Sequence, residues 1–193
     1  MMGEDNLVTE KELLMRSVIG RRLMGIGLAG NILWISFFDE DQAFHDYSLH
    51  ISVGFRIEIN GITFADALDD FSSFDSDEVF SFNSKMKSLI DNSVFYIKDI
   101  ILLEGNHFEL TFSNNLRIFS YSEGYQTEDE WELWRLFRVH NLESPRLIAT
   151  PCDLQVLNID IEEYKKLDER AKEWCKNHPD HWIANIFGSV HTE

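Results

Sequence analysis

An α+β fold dominated by antiparallel sheet is what this sequence predicts: two repeated β units closed as a barrel-like or sandwich body, with a short N-terminal helix, a middle helix and a C-terminal helix. Three observations carry that expectation. Alternating apolar residues twice run up to a Gly-Asn pair and leave through another alternating run, as Ile26, Leu28, Gly30-Asn31, Ile35, Phe37 and again as Ile101, Leu103, Gly105-Asn106, Leu110, Phe112. The offset between the copies is constant, and alternation of this kind is the mark of a half-buried strand. Next, Asn60-Gly61 and Asn114-Asn115 sit between alternating runs, where residues tolerant of positive φ make tight hairpins. Last, Ile161, Tyr164, Leu167, Ala171, Trp174 and Cys175 recur at helical spacing among charged residues.

In chain order, Thr9-Glu10-Lys11-Glu12 fits a capping box, so a helix is expected from Glu10 to Ser17, stopping near Gly20. GIGLAG at 25–30 has the glycine content of a phosphate cradle. It runs into ILWISFF, a strand, so no helix amino terminus is there to meet an anion. After an acidic connection at 38–47, Leu49, Ile51, Val53, Phe55, Ile57 and Ile59 alternate up to Asn60-Gly61, and Ile62 and Phe64 return. The first unit, about 18–82, then holds four antiparallel strands. Residues 65–82 read as a loop pinned by phenylalanines. Asp69, Asp70, Asp75 and Asp77 miss the alternating ligand positions, central Gly and terminal Glu of a calcium loop. Asn83 or Ser84 then caps a short helix through Lys85, Met86, Leu89 and Ile90.

The second unit, about 94–150, has strands near 95–103 and 107–112, a turn at Asn114-Asn115, and a return through Leu116, Ile118 and Tyr121. In EDEWELWRLFRVH, Trp131, Leu133, Arg135 and Phe137 alternate, which favours a strand, with Phe137-Arg138 matching Phe55-Arg56 as corresponding ends. Residues 146–150 form a short edge strand between Pro145 and Pro151, and Asp160 caps the C-terminal helix, about 161–177. Length favours one domain over 1–193.

Charge bounds the function. Lys and Arg number 17 against 34 Asp and Glu, a formal net charge of −17. Such a field repels nucleic-acid phosphates and anionic lipid and draws in a basic partner, so neither nucleic acid nor membrane is expected as a ligand. Cys152 and Cys175 cannot make a disulfide framework, the amino terminus lacks a signal-peptide pattern, and a cytoplasmic location is expected. His178, His181 and His191 lack the further ligands of a zinc site, and Cys175 on an apolar helical face reads as a small buried hydrophobe. Neither a metal nor another cofactor is expected. Acids beside tryptophans at 123–132 have the composition of a sugar-cleaving pair, yet adjacency supplies no geometry. Arg56, Arg135 and Arg138 could clamp an anion, though such arginines more commonly lay their stems over rings and pair with acids.

The segments IGRRLMGIGLAGNILWISF, LHISVGFRI, FNSKMKSLID and VFYIKDIILLEGNHFELTFSNNLRIFSYS, ending in EWELWRLFR, resemble a group of uncharacterised bacterial proteins, several of which resemble immunity proteins that accompany toxins. The resemblance spans about 18–138 and rests on hydrophobic patterns and a Trp-x-x-Phe-Arg ending. It implies a two-unit β-rich domain and supplies no catalytic residues. The expected function is therefore a non-enzymatic binding module, immunity- or antitoxin-like, blocking a basic toxin domain. Its contact surface would comprise Tyr121, Glu123, Tyr125, Glu128, Asp129, Glu130, Trp131 and Trp134, with rings as anchors and carboxylates steering. Two other readings stand beside it: a small hydrolase with a site assembled from distant residues, and an oligomeric structural protein.

Overall fold

Alternation becomes pleat in the computed structural model, which describes residues 10–38, 45–70, 74–121, 132–139 and 144–157, with Glu173 and Lys176 as isolated helical positions. The chain divides into two compact units, Met1–Leu157 and Asn158–Glu193. Of the second, only Glu173 and Lys176 are described, both exposed. The C-terminal helix expected at 161–177 otherwise lies outside the described residues.

The first unit opens with α1 (Glu10–Arg16), whose first turn carries Glu10 and Glu12 and whose last carries Arg16, as the helix dipole favours. Then come β1 (Arg22–Ala29), β2 (Ile32–Phe38), β3 (His45–Ile51), β4 (Gly54–Ile59) and β5 (Ile62–Asp66). A single turn α2 (Ala67–Asp70) and the long α3 (Ser76–Asn92) lead to β6 (Ile97–Leu102), β7 (Phe108–Phe112) and β8 (Leu116–Tyr121). The remaining strands are β9 (Trp134–Arg138), β10 (Arg146–Ala149) and β11 (Leu154–Leu157).

All described pairings are antiparallel, in two sheets: β1-β2-β3-β9-β10-β11 and β5-β4-β8-β7-β6. The meander β1-β2-β3 is continued by β9 and β10, and the meander β6-β7-β8 by β4 and β5. Each hairpin thus leaves the sheet of the strands before it and completes the other. One row of fully buried side chains, Leu33, Ile35, Phe37, Leu49 and Ile51, faces another, Phe55, Ile57, Phe108, Leu110 and Ile118. Each such side chain is worth about 1.5–3 kcal/mol on removal from water. A seam joins the sheets at one corner, where the Leu23 amide donates to the Phe95 carbonyl at 2.8 Å and the Ile97 amide to the Arg21 carbonyl at 2.9 Å. The barrel-like alternative is corrected here: among the described residues the two sheets are not closed into a barrel, and β1 and β11, β5 and β6 remain their edges.

The middle helix corrects the sequence reading most. The described residues of 65–82 are not a loop: they hold the end of β5, α2 and the first half of α3. The cap is Asp75, whose Oδ1 accepts from the amides of Asp77 and Glu78 at 3.0 Å each, in place of Asn83 or Ser84. Val79, Phe82, Met86, Leu89 and Ile90 form its apolar stripe, with Phe82 and Met86 buried. Asn83 works elsewhere. Its Oδ1 accepts from the Leu28 amide at 2.6 Å and its Nδ2 donates to the Leu28 carbonyl at 3.1 Å, so one side chain stands in for a neighbouring strand on the edge of β1.

Smaller differences follow the same physics. The first half has five strands rather than four, since the run expected over 49–59 breaks at Ser52-Val53 into β3 and β4, which lie in different sheets, while the return through Ile62 pairs with β4 beyond the Asn60-Gly61 turn, where φ is +55° and +76°. Strand β10 lies between β9 and β11, not at an edge. Gly30 and Gly105 are both left-handed, at φ +60° and +70°, and Leu110 and Phe112 are buried like Ile35 and Phe37. Ile26 and Leu28 are buried, however, whereas Ile101 and Leu103 are exposed, because a bulge shifts the register of β6 between Ile97 and Asp99. Phe55 faces the core while Phe137 faces outward against His50, so those two Phe-Arg pairs are not equivalent ends.

Candidate functional site

The outward face of the five-stranded sheet gathers the ionisable side chains. Along β4, Phe55 and Ile57 point in, so Arg56 and Glu58 point out. The same alternation turns out Glu109 and Thr111 from β7 and Arg117, Phe119 and Tyr121 from β8. Register places Phe119 between Arg56 and Glu109, and Arg117 between Glu58 and Thr111. Two carboxylates enclose the Arg117 guanidinium: Glu109 Oε1 accepts from its Nη2 at 2.6 Å and its Nε at 2.8 Å, and Glu58 lies 3.6 Å from Nη1. The same guanidinium covers the Phe119 ring at 4.6 Å.

At the end of this face Asp66, buried, collects three donors. Arg56 Nε reaches its Oδ2 at 2.6 Å, while the Tyr121 hydroxyl and the Leu68 amide, the latter at 3.0 Å, reach Oδ1. Burial pushes the carboxyl up, but the Tyr121, Arg56 and Leu68 hydrogen bonds outweigh it and hold the group below the usual carboxylate range. The hydrogen bond to Asp66, with its charge, raises Arg56 in turn. Tyr121 can lie flat there because its cross-strand partner is Gly54, and the ring occupies the space a Cβ would need. Beside this node is a hollow of about 300 Å³ between Arg56, Glu58, Leu68, Leu103, Phe119 and Tyr121. It offers one tethered cation, one carboxylate and apolar walls. Ser120 also lines it, and the charges are engaged by one another, Arg56 by Asp66 and Glu58 by Arg117.

Of the residues expected to form a contact surface, Tyr121 is at this node and half-buried. Trp134 is fully buried, edge-on to Phe108 at 5.4 Å, with its Nε1 donating to the Asn106 carbonyl at 2.6 Å. With its ring closed off from solvent, it braces the core rather than touching a partner. Glu123, Tyr125, Glu128, Asp129, Glu130 and Trp131 lie outside the described residues. The arginines behave as stems over rings and partners of acids: Arg138 lies 5.2 Å over Tyr47, and Arg135 Nε is 2.5 Å from Glu132 Oε1. Arg56, Glu58, Asp66, Glu109 and Arg117 form a cluster that spacing does not reveal. Its only signal is that Arg56, Glu58, Glu109 and Arg117 occupy the outward positions of alternating strands, while Asp66 ends β5, where burial does not alternate.

Among the described residues no three His, Cys, Asp or Glu side chains converge as a metal site requires. His178, His181, His191 and Cys175 lie outside them, and Cys152 is exposed. No described helix is long and apolar enough to cross a membrane. The chain matches no family model, and comparison with curated proteins and with solved structures returns no match.

Proposed function

We propose that the chain is a non-enzymatic binding module for a basic protein, acting as an immunity or antitoxin-like partner that covers a toxin domain. One observation carries this reading. The segment between Tyr121 and Glu132 holds Glu123, Glu128, Asp129 and Glu130 with no Lys or Arg, and both its ends are fixed, Tyr121 on Asp66 and Glu132 on Arg135. Those four acids add to a described face that already bears Glu58 and Glu109, and such an excess of carboxylates favours docking of a cationic surface. The net charge of −17 steers such a partner from a distance. The matching strand orders of the two halves support an internal duplication as the origin of the scaffold.

Co-expression with the product of the adjacent reading frame, followed by calorimetric titration at low and high salt, tests the proposal. A complex that weakens with salt, and weakens further in Glu58→Gln/Glu109→Gln, is the expected result. The absence of a complex, or one indifferent to salt, counts against it. Self-association is favoured by one separate observation: β6 is an edge strand with Ile101 and Leu102 exposed. Light scattering over a concentration series distinguishes it.

A further inference from the structure

We infer that the trough between β5 and α3 receives an extended, basic segment of a partner polypeptide. The inference rests on the reading of this chain as a binder of a basic protein. It adds a second contact, separate from the outward face of the five-stranded sheet.

Among the described residues β5 is an edge with β4 as its one strand neighbour, and its Phe64 lines hollows shared with α3. These two hollows measure about 290 and 580 Å³. Both are lined by Phe64 and Lys85, so they adjoin along this side of α3. Asp70, Asp77 and Glu78 stand at one end, Phe64, Phe82 and Leu89 give the trough apolar surface, and Ser84, Ser88 and Asn92 border the other end. From Asp77 to Asn92 the helix extends about 22 Å at its usual rise, enough to flank about six extended residues.

The register of β5 decides how a segment is held there. Ala65 pairs with Ile57 and Thr63 with Glu58, which leaves Phe64 as the extra residue of a bulge, with its ring 38% exposed. A bulge twists an edge away from regular strand addition and re-aims the bulged side chain. The occupant is therefore gripped by side chains and charge rather than by an added row of ladder hydrogen bonds. Three carboxylates against the single Lys85 make the trough net acidic, and its acid end sits on the first turn of α3, where Asp75 already occupies the helix amides. That end can take the cations of a segment, while Phe64 and Leu89 take its apolar side chains, with small serines leaving room for the backbone.

A fluorescent peptide of two arginines followed by alternating leucine and threonine, titrated into the full chain, tests this by anisotropy. Saturable binding is expected, lowered about tenfold or more, some 1.4 kcal/mol, by Asp77→Asn/Glu78→Gln and by Phe64→Ser. Ser84→Trp fills the trough from an exposed helical position and should abolish binding without touching the core. Glu58→Gln/Glu109→Gln should bind the peptide as the parent does. The same peptide with glutamates for arginines should not bind. Absence of saturable binding, or trough variants that bind like the parent, overturns the inference. Should the adjacent-gene partner still bind through Glu58 and Glu109 in that event, the broader function stands without the trough.

Discussion

Replacing Asp66 with Asn keeps the shape of a buried side chain and removes its charge. In the parent the carboxylate accepts from Arg56, Tyr121 and the Leu68 amide, and each hydrogen bond to a charged acceptor is worth about 1.5–3 kcal/mol against about 1 for a neutral one. Two side-chain bonds losing about 1 kcal/mol apiece suggest a loss of about 2 kcal/mol. The Arg56 share is discounted because that side chain is 48% exposed and screened, but the new amide brings N–H donors into a nest of donors, which restores the total to about 2 kcal/mol. Urea titration reads this as a midpoint lowered by roughly 1 M. Acid supplies the second arm. Asp66 is held below its ordinary value, so its contribution is complete above the unfolded value near about 4 and is lost as pH falls through the lowered folded value. The gap between parent and D66N should be widest near neutrality and close in strong acid, where the parent also carries an uncharged group. A variant within about 0.5 kcal/mol of the parent at neutral pH, or a gap that persists in acid, refutes the reasoning.

Asn83→Ala removes both hydrogen bonds to Leu28 and should cost about 2 kcal/mol, with the Leu28 amide losing hydrogen-exchange protection ahead of its neighbours. His50 is lowered to about 4 by burial, then by Arg135 and Arg146, so an unfolded chain takes up its proton near about 6.5 while the folded one refuses it. Stability should therefore fall as pH is lowered from about 6.5 to about 4. His50→Phe should flatten that part of a melting-temperature profile, and an unchanged slope would argue against it. Gly54→Ala puts a methyl into the Tyr121 ring and should release the Tyr121–Asp66 hydrogen bond, costing about 1–3 kcal/mol and perturbing near-ultraviolet dichroism.

Alternation was legible wherever one face of a strand meets the core: Ile35 and Phe37, then Leu49 and Ile51, then Phe55 and Ile57 all read correctly from their parity. Asn60-Gly61 likewise announced its hairpin. The middle helix was hidden by Phe80, 74% exposed and off the buried stripe, whose presence between Val79 and Phe82 blurs the helical period. Strand exchange between sheets was not readable, since Ser52-Val53 between β3 and β4 carries no mark of a change of sheet. The Arg56–Asp66–Tyr121 node joins three strands, and only the pairing of β4 with both β5 and β8 makes it. Parity says that Arg56 and Tyr121 face outward. It says nothing of which carboxylate meets them.

The hairpins that complete the opposite sheets carry a consequence for biosynthesis. A nascent chain released from the ribosome only as far as α3 holds one three-stranded ribbon and one separate pair, each with an apolar side turned to water. Helix α3 covers part of these faces, through Phe82 on Phe55 and Asn83 on β1, but the rest stays open until β6 to β10 emerge, so this interval is when chaperones have the most to hold. Synthesis interrupted there yields a sticky fragment, not half of a working protein.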